Sequence, residues 1–284
     1  MTNKQKSLIA VHSSVVIFGL TALFSKLIEL SALEITVLRS IFAAMIILAI
    51  FYWQKASPLL AKQSDYGMAF LLGFLLAVHW VTYFHAMQVS TIAIGVISLY
   101  TFPIITVFLE PFFNREKPRV RDISSAFLVL FGIYLLVPEF SLDNEINQGI
   151  LWGVFSAVCF SLRNLIQGYH FKGNSAKHSL MYQTLAAFIL LIPFSYEVIP
   201  DVTTYQWGQL IVLGIFFTAL PHTLLAFSLL NLKTKTVSLI ACIQVVYATL
   251  FAILLLNEQP NLATIIGGVI VISVAMYESL NTGK

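Results

Sequence analysis

The two halves of this chain align with each other at a shift of about 143 residues, and this duplication constrains the fold more than any other feature. His79 falls on His222 at that shift, and a long apolar stretch follows each histidine. Both stretches end in Glu-X-Pro, at Glu116 and Glu258, after a one-residue slip in register. Each half holds an odd number of apolar stretches. Duplicated units of this kind must lie upside down in a bilayer relative to each other, and a central site is expected where they meet.

Composition supports a chain embedded in a membrane. Hydrophobic residues make up 58% of the sequence, charged residues make up 10%, and the mean hydropathy is +0.87, which is far more apolar than a soluble domain. About 20 apolar residues are needed to cross the hydrocarbon layer as a helix. We predict an all-α membrane protein whose ten transmembrane helices form two inverted five-helix repeats, residues 1–138 and 149–284. The ten predicted spans are residues 8–25, 35–53, 66–87, 91–113, 123–137, 150–167, 179–194, 207–230, 236–256 and 262–280.

The distribution of Lys and Arg predicts the orientation of these spans. The loops on one side collect the basic residues Lys4, Lys6, Lys55, Lys62, Arg115, Lys117, Arg119, Arg121, Lys172, Lys177, Lys233, Lys235 and Lys284. The loops on the other side lack Lys and Arg and carry the acidic residues Glu139, Asp143, Glu145, Glu197, Asp201 and Glu258. This alternation predicts a multi-pass protein of the cell (inner or plasma) membrane, surrounded by lipid, with both termini cytoplasmic.

Several motifs resemble those of the drug/metabolite transporter superfamily, in its ten-helix form with two EamA-type repeats. They are Leu38-Arg39 at the start of span 2, Tyr100-Thr101-Phe102-Pro103 in span 4, and the closing glutamates of spans 4 and 9. One position departs from the family pattern, because Val245 stands where a proline is usual. The resemblance implies that spans 1, 3, 4, 6, 8 and 9 surround a cavity, with spans 5 and 10 outside. It also implies transport of amino acids, other metabolites, drugs or nucleotide precursors.

The paired histidines are the first candidates for a site, because polar groups deep in a membrane usually face a cavity or a partner. His79 lies near the centre of span 3, and His222 lies in the symmetry-related span 8. We expect both to line the central cavity. Histidine titrates near physiological pH, so both are also candidates for proton coupling. The alternative is that each imidazole only hydrogen-bonds a neighbouring helix.

Arg163 and Asn164 in span 6 are the strongest charged candidates for substrate binding. A guanidinium group at this depth can hold a carboxylate through two parallel hydrogen bonds. Two alternatives stay open: a structural ion pair with Glu110 of span 4, or extension of the side chain to the inner interface.

Aromatic and amide side chains at matching depths complete the candidate pocket. Tyr100 and Pro103 lie in span 4, and Gln244 and Tyr247 lie at matching positions in span 9. Proline also frees a carbonyl group in its own helix and permits a bend. Tyr83 in span 3 is a weaker candidate, and Trp80 on the same span is expected in the outer interfacial belt.

Four charged residues lie around the first outer loop, namely Lys26, Glu29, Glu34 and Arg39. They suggest either a gate closed by ion pairs or, as the better interpretation, anchors of spans 1 and 2 at the interface. Cys159 and Cys242 lie inside spans without further ligands at metal spacing, so we expect two buried thiols and no metal site. Gly132 and Gly267-Gly268 suit close helix contacts, within a monomer or between the protomers of a homodimer.

Enzymes are disfavoured because the sequence lacks an HExxH motif, a nucleophile elbow, paired metal-spaced aspartates and a P-loop. We predict no catalytic residues and no cofactor, and we interpret the basic 115–121 loop as a cytoplasmic loop without nucleic-acid binding. The prediction is a secondary transporter that exports small amphipathic metabolites such as amino acids by alternating access. The alternatives are a drug or organic-cation carrier, a nucleoside-type carrier or, less favoured, a channel.

Overall fold

The computed structural model describes residues 1–114, 120–137, 141, 143–171, 175–195, 197, 199–228, 231–232, 237 and 240–281. Every regular element in these ranges is helical, as predicted. The basic loop around Arg115, the closing Glu116, and most of the segment before Gln244 lie outside them. The α-helices are α1 (Asn3–Leu27), α2 (Ala32–Trp53), α3 (Ser64–Val89), α4 (Ile92–Leu99), α5 (Phe102–Asn114), α6 (Val120–Leu136), α7 (Glu145–His170), α8 (Ala176–Leu191), α9 (Thr204–Gly214), α10 (Leu220–Ser228), α11 (Gln244–Leu256) and α12 (Leu262–Asn281).

Among the described residues, six helices are long and apolar enough to cross a membrane, taking α4–α5 and α9–α10 as continuous, and three shorter helices are also apolar. Their outward faces expose large apolar side chains, among them Phe127 at 69% and Leu254 at 65% exposure. Such a surface suits lipid and not water. The structure is therefore that of an all-helical chain with several membrane-spanning helices, and the total of ten spans remains a prediction.

The fourth predicted span is broken in its middle. α4 ends at Leu99 and α5 begins at Phe102, with Tyr100 and Thr101 in a turn between them. Pro103 explains the break, because it has no N–H to donate to the carbonyl of Leu99 one turn earlier. This confirms the bend expected from the proline. The second repeat has a break at the matching place, since residues 242–243 form a turn before α11 although Val245 replaces the proline.

The eighth span contains a different irregularity. Between α9 and α10, Ile215–Ala219 form a π-helical turn, in which the Leu220 N–H donates to the carbonyl of Ile215. Pro221 cannot donate to the carbonyl of Phe217, so the ordinary α-helical hydrogen bond is lost there. Thr21 of α1 partly replaces it, because its hydroxyl lies 3.0 Å from Phe217 O and 2.9 Å from Ile17 O of its own helix and shares its one proton between them.

α6 and α12 pack against each other at the edge of the bundle. A Cβ atom on Gly132 would lie 3.1 Å from the main-chain oxygen of Gly267, so the two helices touch through these glycines. The close contact that we expected within or between protomers is therefore made inside one chain. α3 forms the centre of the bundle, where it packs on α7, α8 and α2.

The first outer loop does not contain an ion-pair gate among its described residues. α1 ends at Leu27, so Glu29 is not on the helix of Lys26. The Lys26 ammonium instead donates to the carbonyls of Gln88 and Ser90 at the end of α3, 3.0 and 2.9 Å away. Glu34 caps α2 together with Ser31. Lys26 and Glu34 thus bind helix ends, and anchoring of spans 1 and 2 at the membrane interface stays a prediction.

Glu258 has a structural role. Its carboxylate oxygens accept the N–H of Ile92 at 2.9 and 3.1 Å, at the start of α4. The acceptor and the donor come from different halves of the chain, so this contact joins them. Both cysteines are buried, as expected.

Candidate functional site

His79 lies in the middle of α3 with its ring buried against α7. The hydroxyl of Ser156 donates to the main-chain oxygen of His79 at 2.8 Å, and the Nδ1 atom of His79 lies 2.7 Å from the same hydroxyl oxygen. Because a hydroxyl has one proton, Nδ1 must be the donor in the second contact. The ring lies between Tyr83 and Phe160, with centroid distances of 6.0 and 4.7 Å. Nε2 is left without a hydrogen bond to any described residue.

His222 has the same arrangement of its two ring nitrogens. Its Nδ1 atom lies 2.7 Å from the carbonyl oxygen of Thr218, which can only accept, so Nδ1 again carries a proton. Phe18 of α1 and Trp80 of α3 contact the ring edge-on. Nε2 of His222 also makes no hydrogen bond within the described ranges. The two histidines therefore present the same unpaired acceptor atom.

The two helix breaks meet each other. The Tyr100 hydroxyl, at the first break, donates to the carbonyl of Ala241 at the second break over 2.6 Å. The same oxygen lies 3.1 Å from Oε1 of Gln244, the first residue of α11. The N-termini of α5 and α11 thus lie near one another, and both carry partial positive charge. The structure brings the candidates Tyr100 and Gln244 together, and Pro103 lies three residues after Tyr100 in the chain.

Tyr247 is separate from this group. Its ring stacks on Phe251 of the same helix, and its backbone packs closely against Gly19 of α1. No described contact joins it to Tyr100 or to either histidine.

Arg163 binds neutral partners. Its Nε atom donates to Oε1 of Gln183 at 2.8 Å, and its Nη1 atom donates to Oδ1 of Asn164 at 2.9 Å. Glu110 accepts a hydrogen bond from Tyr169 instead, at 3.2 Å. The suggested structural pair between Arg163 and Glu110 is therefore wrong. Neutral amides orient the guanidinium group without neutralising it.

Arg39 was placed wrongly from the sequence, because it lies inside the bundle and not at the outer loop. Only 2% of its surface is exposed. Its Cζ atom lies 4.1 Å from the ring centre of Trp80 and 4.5 Å from that of Phe84. Its Nε and Nη2 atoms have no hydrogen-bond partner in the described part of the chain. Trp80 itself is buried, so its expected place in the interfacial belt was also wrong.

Contacts on α3 and α7 connect the four basic side chains His79, His222, Arg39 and Arg163. The ring of Trp80 contacts both His222 and the guanidinium group of Arg39, and Arg163 lies on α7, the helix to which His79 is hydrogen-bonded. None of the described carboxylates hydrogen-bonds to these four groups. The described residues also contain no cluster of three or more His, Cys, Asp or Glu that could hold a metal ion. The two guanidinium groups thus make the centre of the bundle electropositive, which suits an anionic group.

Sequence reasoning missed Gln183, Ser156 and Pro221 as well as Arg39. Gln183 is fully buried on α8, a helix that we did not expect near the site, and it orients Arg163. Pro221 stands directly before His222 and could have predicted the π turn. For Arg39, the one available signal was its place in a conspicuous Leu-Arg motif.

Comparisons with known proteins agree on one relationship. The sequence model of the EamA-like transporter family matches residues 5–137 and again residues 147–277. The uncharacterized transporter YxxF of Bacillus subtilis is 26% identical, over 95% of this chain and 89% of that protein. The S-adenosylmethionine uptake transporter of Rickettsia conorii is 22% identical, over 88% and 83%. The pseudopaline exporter CntI of Pseudomonas aeruginosa is 24% identical, over 86% and 84%. A protein of known crystal structure, 16% identical, shares the fold over 99% of this chain and 97% of its own, with a TM-score of 0.66.

Proposed function

Because this chain belongs to the EamA-like transporter family, whose model covers both of its halves, we propose that it is a secondary carrier that exports small amphipathic metabolites such as amino acids. That it is a multi-pass membrane transporter with a small-molecule substrate follows from the family and the apolar helices. What we propose is the kind of substrate, the direction of transport and the residues that bind the substrate. The membership confirms the resemblance drawn from the sequence.

One observation supports the substrate site above all others. His79 and His222, one from each half of the chain, both contact aromatic rings of α3, those of Tyr83 and Trp80 respectively. Each histidine keeps its Nε2 atom free as an acceptor. The proposed substrate-binding residues are His79, Tyr83, Tyr100, Pro103, Arg163, Asn164, His222, Gln244 and Tyr247.

The charges at this centre favour a substrate that carries a carboxylate and a hydrogen-bond donor. Guanidinium groups bind carboxylates strongly, and unprotonated Nε2 atoms can accept from an ammonium group. An amino acid offers both groups, and the relative named for S-adenosylmethionine moves an amino-acid derivative. An organic cation without a carboxylate would be repelled by the two arginines, and no described carboxylate lies hydrogen-bonded at this centre to bind it. We therefore prefer the amino-acid class to the drug or organic-cation alternative.

The proposed mechanism is alternating access between two units, residues 1–138 and 149–284. We propose that the units are inverted repeats of five helices each, which rock against each other around the central site. The hydrogen bond from Tyr100 to the carbonyl of Ala241 lies between the two helix breaks, and it is a contact that such a movement can make and release. Proton coupling through His79 and His222 is part of the same proposal, because both must exchange protons with water during the cycle.

The proposed topology is ten transmembrane helices in the inner membrane with both termini cytoplasmic. Single cysteines at positions 62, 143 and 201 test it in a cysteine-free variant of the protein, since all three residues are exposed. We expect membrane-impermeant maleimide to label positions 143 and 201 in sealed cells, and position 62 only after permeabilisation. Labelling of position 62 in sealed cells contradicts the topology.

Transport by purified protein in liposomes tests the function. A panel of amino acids, nucleosides and organic cations should contain amino acids whose flux saturates with concentration and shows counterflow. Counterflow separates a carrier from a channel, because an open channel cannot exchange labelled for unlabelled substrate against a gradient. Efflux from preloaded cells should exceed that of cells lacking the protein. The proposal fails if no amino acid shows saturable flux although the reconstituted protein is folded and empty liposomes show only background leakage.

A further inference from the structure

Arg39 is the most unusual side chain of the bundle, because it is charged, buried and unpaired. It lies in the second turn of α2 with 2% of its surface exposed. No described residue accepts a hydrogen bond from Nε or Nη2. Its guanidinium group lies over the ring faces of Trp80 and Phe84.

These two rings do not compensate for the burial. An arginine side chain stays charged in a protein, and an isolated charge is strongly disfavoured away from water unless it is paired. Cation–π contacts stabilise it, but they leave the N–H groups without acceptors. A membrane-buried charge of this kind is usually retained for function. The hydroxyl of Tyr83, whose ring contacts that of Phe84 edge-on, is also buried without a partner among the described residues.

The two unpaired nitrogens lie on the same edge of the guanidinium group. Nε–H and one N–H of Nη2 point in parallel, at a spacing that matches the two oxygens of a carboxylate. Arg163 differs, because Gln183 already accepts from its Nε atom. The aromatic rings around Arg39 carry no net charge, so this place presents the single positive charge of the guanidinium group. A monoanion matches that charge better than a dianionic phosphate does.

We infer that Arg39, and not Arg163, binds the carboxylate of the substrate through its Nε–Nη2 edge, with the Tyr83 hydroxyl as a further donor. The inference rests on the proposed function for the identity of the substrate. The binding of a carboxylate at Arg39 can nevertheless be tested without transport.

Trp80 reports directly on this edge, since its ring faces the guanidinium group at 4.1 Å. In the Trp53→Phe, Trp152→Phe, Trp207→Phe background it is the only tryptophan of the chain. We expect butyrate to change its fluorescence saturably, and butyramide or inorganic phosphate to have no such effect. Arg39→Gln should abolish the response. Equal responses to butyrate and butyramide, or a response to phosphate alone, overturn the inference.

Transport then compares the two arginines. For each amino acid that the protein carries, we measure competition by its α-carboxamide, which lacks the carboxylate, and by its N-acetyl derivative, which keeps it. Wild-type protein should discriminate strongly against the carboxamide. Arg39→Lys should raise KM about tenfold or more, because one of two parallel charge-assisted bonds is lost. Arg39→Gln should bind the carboxamide and the carboxylate equally well. Arg163→Gln should weaken transport but still discriminate against the carboxamide.

Loss of discrimination in Arg163→Gln, with retention in Arg39→Gln, assigns the carboxylate to Arg163 and contradicts the inference. Thermal melting in detergent identifies misfolded variants, and Arg39→Lys keeps the charge if Arg39→Gln does not fold. The inference and the proposed function fail separately. Absent amino-acid flux with an intact butyrate response at Trp80 rejects only the function, and normal flux without that response rejects only the role of Arg39.

Discussion

Replacing Gly73 by Ala should separate two helices whose contact orients the central arginine. An added Cβ atom on Gly73 of α3 would lie 2.5 Å from Cβ of Ala186 and 2.9 Å from the main-chain oxygen of Gln183, both on α8. Ordinary contact between carbon atoms is about 3.5–4.0 Å, so α8 must retreat by about 1 Å. Ala186 Cβ and a main-chain oxygen cannot rotate away, so the backbone must move.

Gly67 on the same helix offers a matched control. A Cβ atom added there meets nothing within 4 Å. Both substitutions gain about 1 kcal/mol of helix propensity, so this contribution cancels between them. Overpacking at Gly73 should cost about 1–3 kcal/mol. We therefore expect the free energy of unfolding of Gly73→Ala to be lower than that of Gly67→Ala by about 1–3 kcal/mol.

The assay is reversible unfolding of both variants in mixed micelles, followed by circular dichroism. The same displacement should lengthen the 2.8 Å hydrogen bond from Arg163 to Gln183, so KM of a transported substrate should rise in Gly73→Ala and not in Gly67→Ala. If the two variants unfold with equal free energy, the close contact between α3 and α8 is refuted. If the two variants differ in the free energy of unfolding but have equal KM values, the substitution at Gly73 affects packing only and does not disturb the substrate site.

Three further predictions follow from other contacts. His79→Gln and His222→Gln keep a hydrogen-bonding group but remove the titration, so each should flatten the pH dependence of flux if the rings take up protons when they meet water during the cycle, while the folded yield stays unchanged; a low yield with normal flux per folded molecule makes them packing residues. Glu258→Gln weakens the cap on α4, which should lower the free energy of unfolding by about 0.5–2 kcal/mol, measured by the same micelle assay. Gly267→Ala should destabilise the protein by about 1–3 kcal/mol because its Cβ would meet the main-chain oxygen of Gly132; an unchanged melting temperature contradicts that contact.

The sequence predicted the helices well, because apolar length is a local property. The helices lie where the apolar stretches were identified, and Pro103 correctly indicated the break in the fourth span. The break before α11 was not predicted, since Val245 there carries no such signal. The carbonyl of Ala241 at this break accepts a hydrogen bond from Tyr100, which belongs to the other half of the chain.

The candidate site was predicted in part, because a side chain's partners come from distant segments. Arg39 lies seven residues into its helix, and depth along the helix alone suggested an interfacial position. Its rings come from α3, and only the packing of α2 on α3 brings them over the guanidinium group. For Arg163 we expected an acidic partner, but the buried amide of Gln183 takes that place. The protonated nitrogen of each histidine depends on Ser156 and Thr218, and sequence spacing does not show it.

The π turn at Ile215–Ala219 makes the length of its helix as important as its composition. One residue corresponds to about 100° of rotation around a helix axis. Deletion of one residue within the turn would restore ordinary α-helical winding and keep both flanking segments in place. If ordinary winding resumed with the same number of residues, everything after the turn would rotate by about that angle. His222 would then leave the face that it shares with Phe18 and Trp80. A chimera that takes this helix from a relative must therefore keep the π turn together with its extra residue, or omit both.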